Sequence, residues 1–271
     1  MTARTREPYA SLPKLDTTRP HPARRYDYWL GGKDNFAADR ASAEKIAKEF
    51  PTVVCGAREN RKFMLRAAAN LARERGIRQF LDIGTGIPTS PNLHEVVQAI
   101  APESRIVCVD NDDLVMVHDR ALLVSSPEGV VEFIKEDLRN SDALLKNPTL
   151  KATLDLGEPI ALMLVAVLHF LTDDDGPYHC VSRLIEAMPA HGFVVLSHVD
   201  ESAARFNTDS GESSHGSFRA RTAPEVARFV DQLEPIGPGL ASIVEWLPDE
   251  EPKPEASAEE TCMYGLIART P

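Results

Sequence analysis

Three aspartates stand where chemistry can be done with them: Asp82, Asp110 and Asp137. Each ends or follows a short apolar run. The runs are Phe80-Leu81-Asp82-Ile83, Val107-Cys108-Val109-Asp110, and residues 130–134 leading into Lys135-Glu136-Asp137-Leu138. Gly84-Thr85-Gly86 follows the first. Glycines let the backbone approach a ligand closely, and an acid at the tip of the next strand can accept hydrogen bonds from both hydroxyls of a ribose. Bonds to such a charged acceptor contribute about 1.5–3 kcal/mol each. Asp137 is placed to accept from an adenine amino group, and the backbone of Leu138 can complete that contact. One acid at a strand end is ordinary surface chemistry. Three in register, with glycines after the first, point to a nucleoside-bearing cofactor.

These residues meet only if the runs are neighbouring strands. Strands are predicted at 79–83, 105–109, 130–134, 160–167 and 192–198. Helices alternate with them at 114–123, 141–145 and 177–188, and after Ser90-Pro91. For that last helix Ser90 is the expected N-cap, Pro91 the first helical residue, and Leu93, Val96, Val97 and Ile100 the apolar stripe. A helix at 223–233 and strands at 242–246 and 262–268 close the chain, the last two expected to pair antiparallel. Repeated strand–helix units imply a mostly parallel sheet with helices on both faces, and a ligand beyond the carboxyl ends of its strands. Two helices are expected ahead of it, one within 35–50 ended by Pro51, the other at 58–75 ended by Gly76. The expected organisation is a flexible N-terminus (1–20), an N-terminal helical cap (21–75) and a cofactor-binding domain (76–271). The polar stretch 202–220 reads as a mobile loop able to close over ligand.

A dinucleotide fingerprint requires G-x-G-x-x-G. Here Thr89 replaces the third glycine in Gly84-Thr85-Gly86-Ile87-Pro88-Thr89, and no Tyr-x-x-x-Lys pair is present. An NAD-dependent oxidoreductase is therefore the weaker reading. Leu81-Asp82-Ile83-Gly84-Thr85-Gly86 resembles motif I of class I S-adenosylmethionine-dependent methyltransferases, and Val109-Asp110 resembles their acidic second motif. Four stretches are more specific: Arg25-Tyr26-Asp27-Tyr28-Trp29-Leu30-Gly31-Gly32-Lys33-Asp34-Asn35-Phe36, Gln79-Phe80-Leu81-Asp82-Ile83-Gly84-Thr85-Gly86, Val109-Asp110-Asn111-Asp112 and Val165-Ala166-Val167-Leu168-His169-Phe170. Together they resemble a bacterial family named S-adenosyl methyltransferase, common in actinomycetes and formerly a domain of unknown function. The resemblance runs from about residue 20 to the C-terminus. It implies an α/β, Rossmann-like class I methyltransferase fold, with a seven-stranded, mostly parallel sheet and an antiparallel final strand. It also implies S-adenosyl-L-methionine as cofactor, with Gly84 and Gly86 beside the methionine part, Asp110 on the ribose and Asp137 on the adenine. Asp82, Thr85, Asn111, Leu138 and Val165 complete the expected cofactor contacts. The resemblance names no acceptor. A protein that binds S-adenosylmethionine or S-adenosylhomocysteine without turnover is a further alternative.

Methyl transfer from a sulfonium is an in-line displacement, so the protein mainly aligns the nucleophile, at roughly 3–3.5 Å from the methyl. A base helps only where the acceptor must lose a proton, typically by about 10²–10⁴-fold. His169, at the end of the fourth strand, is one candidate catalytic residue, since imidazole titrates near neutrality. Tyr26 is the other, and His198 is weaker. The Tyr26-Asp27-Tyr28-Trp29 run is a candidate lid. The Gly31-Gly32 turn would return Lys33 and Asn35 to the site, where Lys33 or Arg61 would pair with the cofactor carboxylate.

The formal charge of −11 repels nucleic acid and anionic membrane, so a small-molecule acceptor is expected. Four scattered cysteines without C-x-x-C predict reduced thiols and a cytoplasmic protein. Met1 to Lys14 has no apolar core of a signal peptide. The apolar run 160–168 is too short to cross a bilayer. The histidines lack metal-ligand spacing, and Asp173-Asp174-Asp175-Gly176 lacks the other ligands of a calcium loop, so no metal is expected. Nothing in the sequence sets an oligomeric state.

Overall fold

Strands with apolar residues on both faces need cover on both sides, and the helices supply it. The computed structural model describes residues 16–206 and 217–271. The expectation for residues 1–15, and that for 207–216 of the predicted loop, lie outside the described residues. The parallel part of the sheet consists of β1 (Gln79–Ile83), β2 (Arg105–Asp110), β3 (Val130–Lys135), β4 (Ala161–Val165) and β5 (Phe193–Val199). Strands β6 (Glu234–Pro235) and β7 (Ala241–Ser242) each pair antiparallel with β8 (Met263–Arg269), which itself runs antiparallel to β5. The order is β3-β2-β1-β4-β5-β8-β6, with β7 also on β8. The chain therefore reverses its direction of travel across the sheet between β1 and β4, which is the switch point where ligands bind.

The expected strand at 242–246 is a correction, since only Ala241 and Ser242 pair. The carbonyls of Ile243 and Trp246 turn away to Arg66, and the Trp246 indole donates to Gly265 O at 2.9 Å. The path across the sheet runs through seven strands, and β7, two residues long like β6, lies off that path on β8.

Among the described residues three helices precede the sheet: α1 (Pro22–Trp29), α2 (Ala37–Glu49) and α3 (Thr52–Glu74). Helix α3 begins earlier than expected, because Pro51 both stops α2 and caps α3. Helix α4 (Leu93–Ile100) begins later than expected, with Asn92 as N-cap rather than Ser90. The Glu95 carboxylate accepts from Asn92 N–H at 2.6 Å, while Asn92 Oδ1 accepts from Thr89 N–H at 2.9 Å, and this fixes the start. Then follow α5 (Asp113–Leu122), α6 (Ser141–Lys146), α7 (Pro148–Thr153), α8 (Pro177–Glu186), α9 (Ala223–Ala227) and α10 (Ala258–Thr261). The helix expected over 223–233 tightens after Ala227 into a 3-10 turn at Arg228–Val230, which buries Phe229 and Val230.

Alternation along the strands sorts side chains into two cores. Phe80, Ile106, Met163 and Val195 pack with Phe63, Ala67 and Leu71 of α3 and with Leu93 and Val97 of α4. Leu81, Val107, Leu162 and Leu196 pack with Val181 and Leu184 of α8 and with Leu144 and Leu150. Each large side chain so buried contributes about 1.5–3 kcal/mol. A smaller cluster joins Ile87, Leu114, Val115 and Met116 to Ala23 and Phe36, which seats the cap beside the carboxyl ends of β1 and β2.

Candidate functional site

The turn after β1 is folded back onto the tip of β2. Gly84 N–H and Thr85 N–H donate to Val109 O at 2.8 and 3.2 Å. Gly84 has φ +73° and Gly86 has φ +70°, a region that L side chains rarely adopt. A Cβ on Gly84 would stand 2.7 Å from Val167 Cγ2, so the residues after β4 close directly against this turn. A Cβ on Gly86 would meet nothing within 4 Å, so the backbone there faces open space.

The three aspartates lie along this rim. Asp82 accepts from Thr85 Oγ1 at 2.5 Å. Asp110 accepts from Gly86 N–H and from Asp112 N–H, each at 3.0 Å. A carboxylate has about four acceptor positions, so Asp110 keeps two for a ribose. Asp137 accepts from Arg139 N–H at 2.9 Å, and from Asn111 Nδ2 and Arg139 Nη1 at 2.8 Å. Asn111 thereby joins the ends of β2 and β3, with Leu138 buried immediately after Asp137. Val165 ends β4, the strand on the other side of β1.

Acidity dominates the electrostatics. Burial pushes Asp82 up to about 6, although Thr85 and Arg61 oppose it. Burial also raises Asp110, against the two N–H donors. Asp119 of α5 is pushed up to about 8, first by burial and then by Asp110 and Asp82. A pyrophosphate would be repelled here. A cofactor with a cationic sulfonium and ammonium fits, as do the open backbone at Gly86 and the spare acceptor positions of Asp110. Arg61 is the nearby cation, and burial lowers its pKa. Its Nη2 donates to Thr89 O and Pro91 O, at 2.5 and 2.8 Å, and so anchors the loop before α4. Lys33 is exposed.

The cap is pinned rather than loose. Asp27 accepts from Asp34 N–H at 3.0 Å and from Asn35 Nδ2 at 2.7 Å, closing the Gly31-Gly32 turn on itself. Trp29 Nε1 donates to Ala43 O and the Tyr28 hydroxyl to Glu44. The Tyr26 hydroxyl donates to Ala57 O at 2.8 Å and accepts from Asn60 at 3.0 Å. Burial raises that phenol's pKa, so it is a poor base. His21 lies 2.9 Å and Arg24 3.8 Å from Asp112, two residues beyond Asp110. Burial opposes ionisation of Asp112, but His21, Leu114 N–H and Arg24 hold its pKa below the usual range. Sequence reading missed Asp112 as the link between cap and rim. Its signal was its place in Val109-Asp110-Asn111-Asp112.

His169 sits in a 3-10 turn after β4, buried among Phe170, His198 and Phe218, with ring centroids 4.4, 5.5 and 5.6 Å away. Burial, His198 and Arg221 hold its pKa well below that of an ordinary imidazole, and its Nδ1 has no hydrogen-bond partner. His198 is lowered to about 3, mainly by burial. Its Nδ1–H donates to Val199 O at 2.7 Å, leaving Nε2 to accept from Arg221 at 3.2 Å. Arg221, also missed in the sequence, is fully buried and donates to Leu168 O, Leu171 O and Asp173.

The family model described as S-adenosyl methyltransferase matches residues 9–271. The chain belongs to this family. A DUF574 family protein from Streptomyces avermitilis MA-4680 is 40% identical, with 95% of this chain and 100% of that one covered, at a TM-score of 0.89. A Thermobifida fusca YX protein, described as a candidate methyltransferase, is 36% identical, with 95% and 97% covered, at a TM-score of 0.85. No curated protein matches.

As an S-adenosyl methyltransferase, the protein is an S-adenosylmethionine-dependent enzyme with a Rossmann-like class I fold. Membership sets aside the NAD reading. Among the described residues no group of three or more His, Cys, Asp or Glu is arranged to hold a metal, and no helix is long and apolar enough to cross a membrane. A surface groove lined by Arg105, Lys151 and Asp155 opens at the amino end of β2, away from the methyltransferase rim.

Proposed function

We propose that this S-adenosyl methyltransferase methylates a small-molecule acceptor at the carboxyl ends of β1, β2 and β4, beside the helical cap. The observation that carries the reading is the convergence of Asp82, Asp110 and Asp137 with the Gly84-Thr85-Gly86 turn on one rim at the switch point. Asp110 accepts from the ribose hydroxyls. Asp137, Asn111 and the Leu138 backbone meet the adenine, while Gly84, Thr85, Gly86 and Val165 border the methionine half. When bound, the cofactor supplies an electrophilic methyl on a cationic sulfur. The protein's part is alignment and exclusion of water. His169 stays neutral at physiological pH, so its free Nδ1 serves to orient an acceptor by a hydrogen bond rather than to store a proton. The net charge of −11 supports an acceptor other than nucleic acid.

The test is methyl transfer from labelled S-adenosylmethionine to a metabolite extract, alongside calorimetry with S-adenosylhomocysteine. The Asp110→Ala variant should lose about 1.5–3 kcal/mol of S-adenosylhomocysteine binding. Unchanged affinity would remove Asp110 from the ribose, and label appearing only on polynucleotide would overturn the small-molecule acceptor.

A further inference from the structure

Ala166, directly after β4, has φ +54°, unusual for a residue with a Cβ. Such a conformation persists only where the surroundings impose it. A file of side-chain hydrogen bonds does so here, beside the longer backbone bond from Ala166 N–H to Ser197 O at 3.3 Å. Ala166 N–H donates to Ser197 Oγ at 2.9 Å, and the Ser197 hydroxyl donates to Asn60 Oδ1 at 2.5 Å. Asn60 Nδ2 donates to the Tyr26 hydroxyl at 3.0 Å, which in turn donates to Ala57 O at 2.8 Å. Each hydroxyl accepts from one neighbour and donates to the next, an arrangement that polarises and strengthens its members. Asn60 is 1% and Ser197 0% exposed, so water cannot replace a missing partner. The file crosses three elements, from α1 through α3 to β5, and ends on the turn that carries Val167. Val167 is the side chain that closes on Gly84.

We propose that Tyr26, Asn60 and Ser197 are positioning residues for the cofactor. They hold Ala166 left-handed, which seats Val167 against Gly84 and shapes the wall for the methionine half of S-adenosylmethionine. Tyr26 therefore acts through Ala166 rather than on the acceptor. The inference rests on the placement of the cofactor at this rim.

The experiment measures S-adenosylhomocysteine affinity by calorimetry on variants shown by circular dichroism to be folded at the assay temperature. Ser197→Ala should raise Kd about tenfold, the size expected for one lost buried hydrogen bond. Tyr26→Phe, at the far end and least able to disturb folding, should raise it about threefold. Ala166→Gly placed in the Ser197→Ala background should recover most of the loss, because glycine takes positive φ without cost. A purely structural Ser197 gives no such rescue. Wild-type affinity in both single variants, or a double variant no better than Ser197→Ala, overturns the proposal. If Asp110→Ala loses affinity while Ser197→Ala does not, the cofactor placement stands and only the positioning role falls. If the wild-type protein does not bind S-adenosylhomocysteine, both fall.

Discussion

Neither carboxyl oxygen of Asp119 has a hydrogen-bond partner, although the residue is fully buried. Pushed up to about 8, first by burial and then by Asp110 and Asp82, it is mostly neutral at pH 7. The folded protein thus keeps a proton that the unfolded chain releases above about pH 4. Stability from this group is greatest at low pH and falls as pH rises from about 4 to about 8. Asp82, at about 6, adds the same slope over a narrower window. Asparagine mimics the neutral acid without titrating. Asp119→Asn should therefore stabilise the protein by a margin that grows by up to about 1.4 kcal/mol per pH unit and levels off above about pH 8. Urea unfolding at about pH 5, 7 and 9 measures it, and a margin that ignores pH excludes titration of Asp119. The residue was not legible as special in Leu114-Val115-Met116-Val117-His118-Asp119. An acid on a helix is ordinarily solvated, and only the fold puts this one near Asp82 and Asp110.

The turn between β1 and α4 makes its own prediction. Gly84→Ala combines positive φ with a Cβ 2.7 Å from Val167 Cγ2. It should destabilise by about 1–3 kcal/mol and weaken S-adenosylhomocysteine binding about tenfold or more. Gly86→Ala shares the φ but meets open space, so the smaller effect is expected there. Calorimetry and thermal melting compare the two, and equal effects would remove the Gly84–Val167 contact from the explanation. Such a turn is readable in advance because a glycine pair between an apolar strand and an acid has few other uses. The ends of elements were less readable. The start of α3 depends on the break that Pro51 makes after α2, and that of α4 on what Asn92 bonds to. The short β7 reflects competition by Arg66 for carbonyls that a longer strand would have used.

At the scale of the molecule, α3 ties the halves together. Fully buried Arg66 donates to Trp246 O at 3.1 Å, Pro252 O at 2.8 Å and Ile243 O at 2.9 Å. It clamps the connection between β7 and β8 onto the sheet's α3 face. Arg66→Met leaves those carbonyls unpaired and should cost at least about 3 kcal/mol in urea unfolding. Affinity for S-adenosylhomocysteine per folded molecule should stay within about twofold, because no rim residue is touched. A loss of affinity as large as the loss of stability would place this clamp in the cofactor site.

Local chemistry determined the class of this protein. Apolar runs of strand length, glycines after the first, and acids at the strand tips are short-range features, each readable within a few residues. They point to a nucleoside cofactor, and the motifs around them to a methyltransferase. Tertiary structure decided everything that depends on partners distant in the chain. Tyr26 reaches Ser197 through Asn60, Asp112 finds His21, and Arg221 finds His198. Burial and hydrogen-bond partnership belong to pairs of residues, and pairs so far apart in sequence are set by how the sheet and its helices pack.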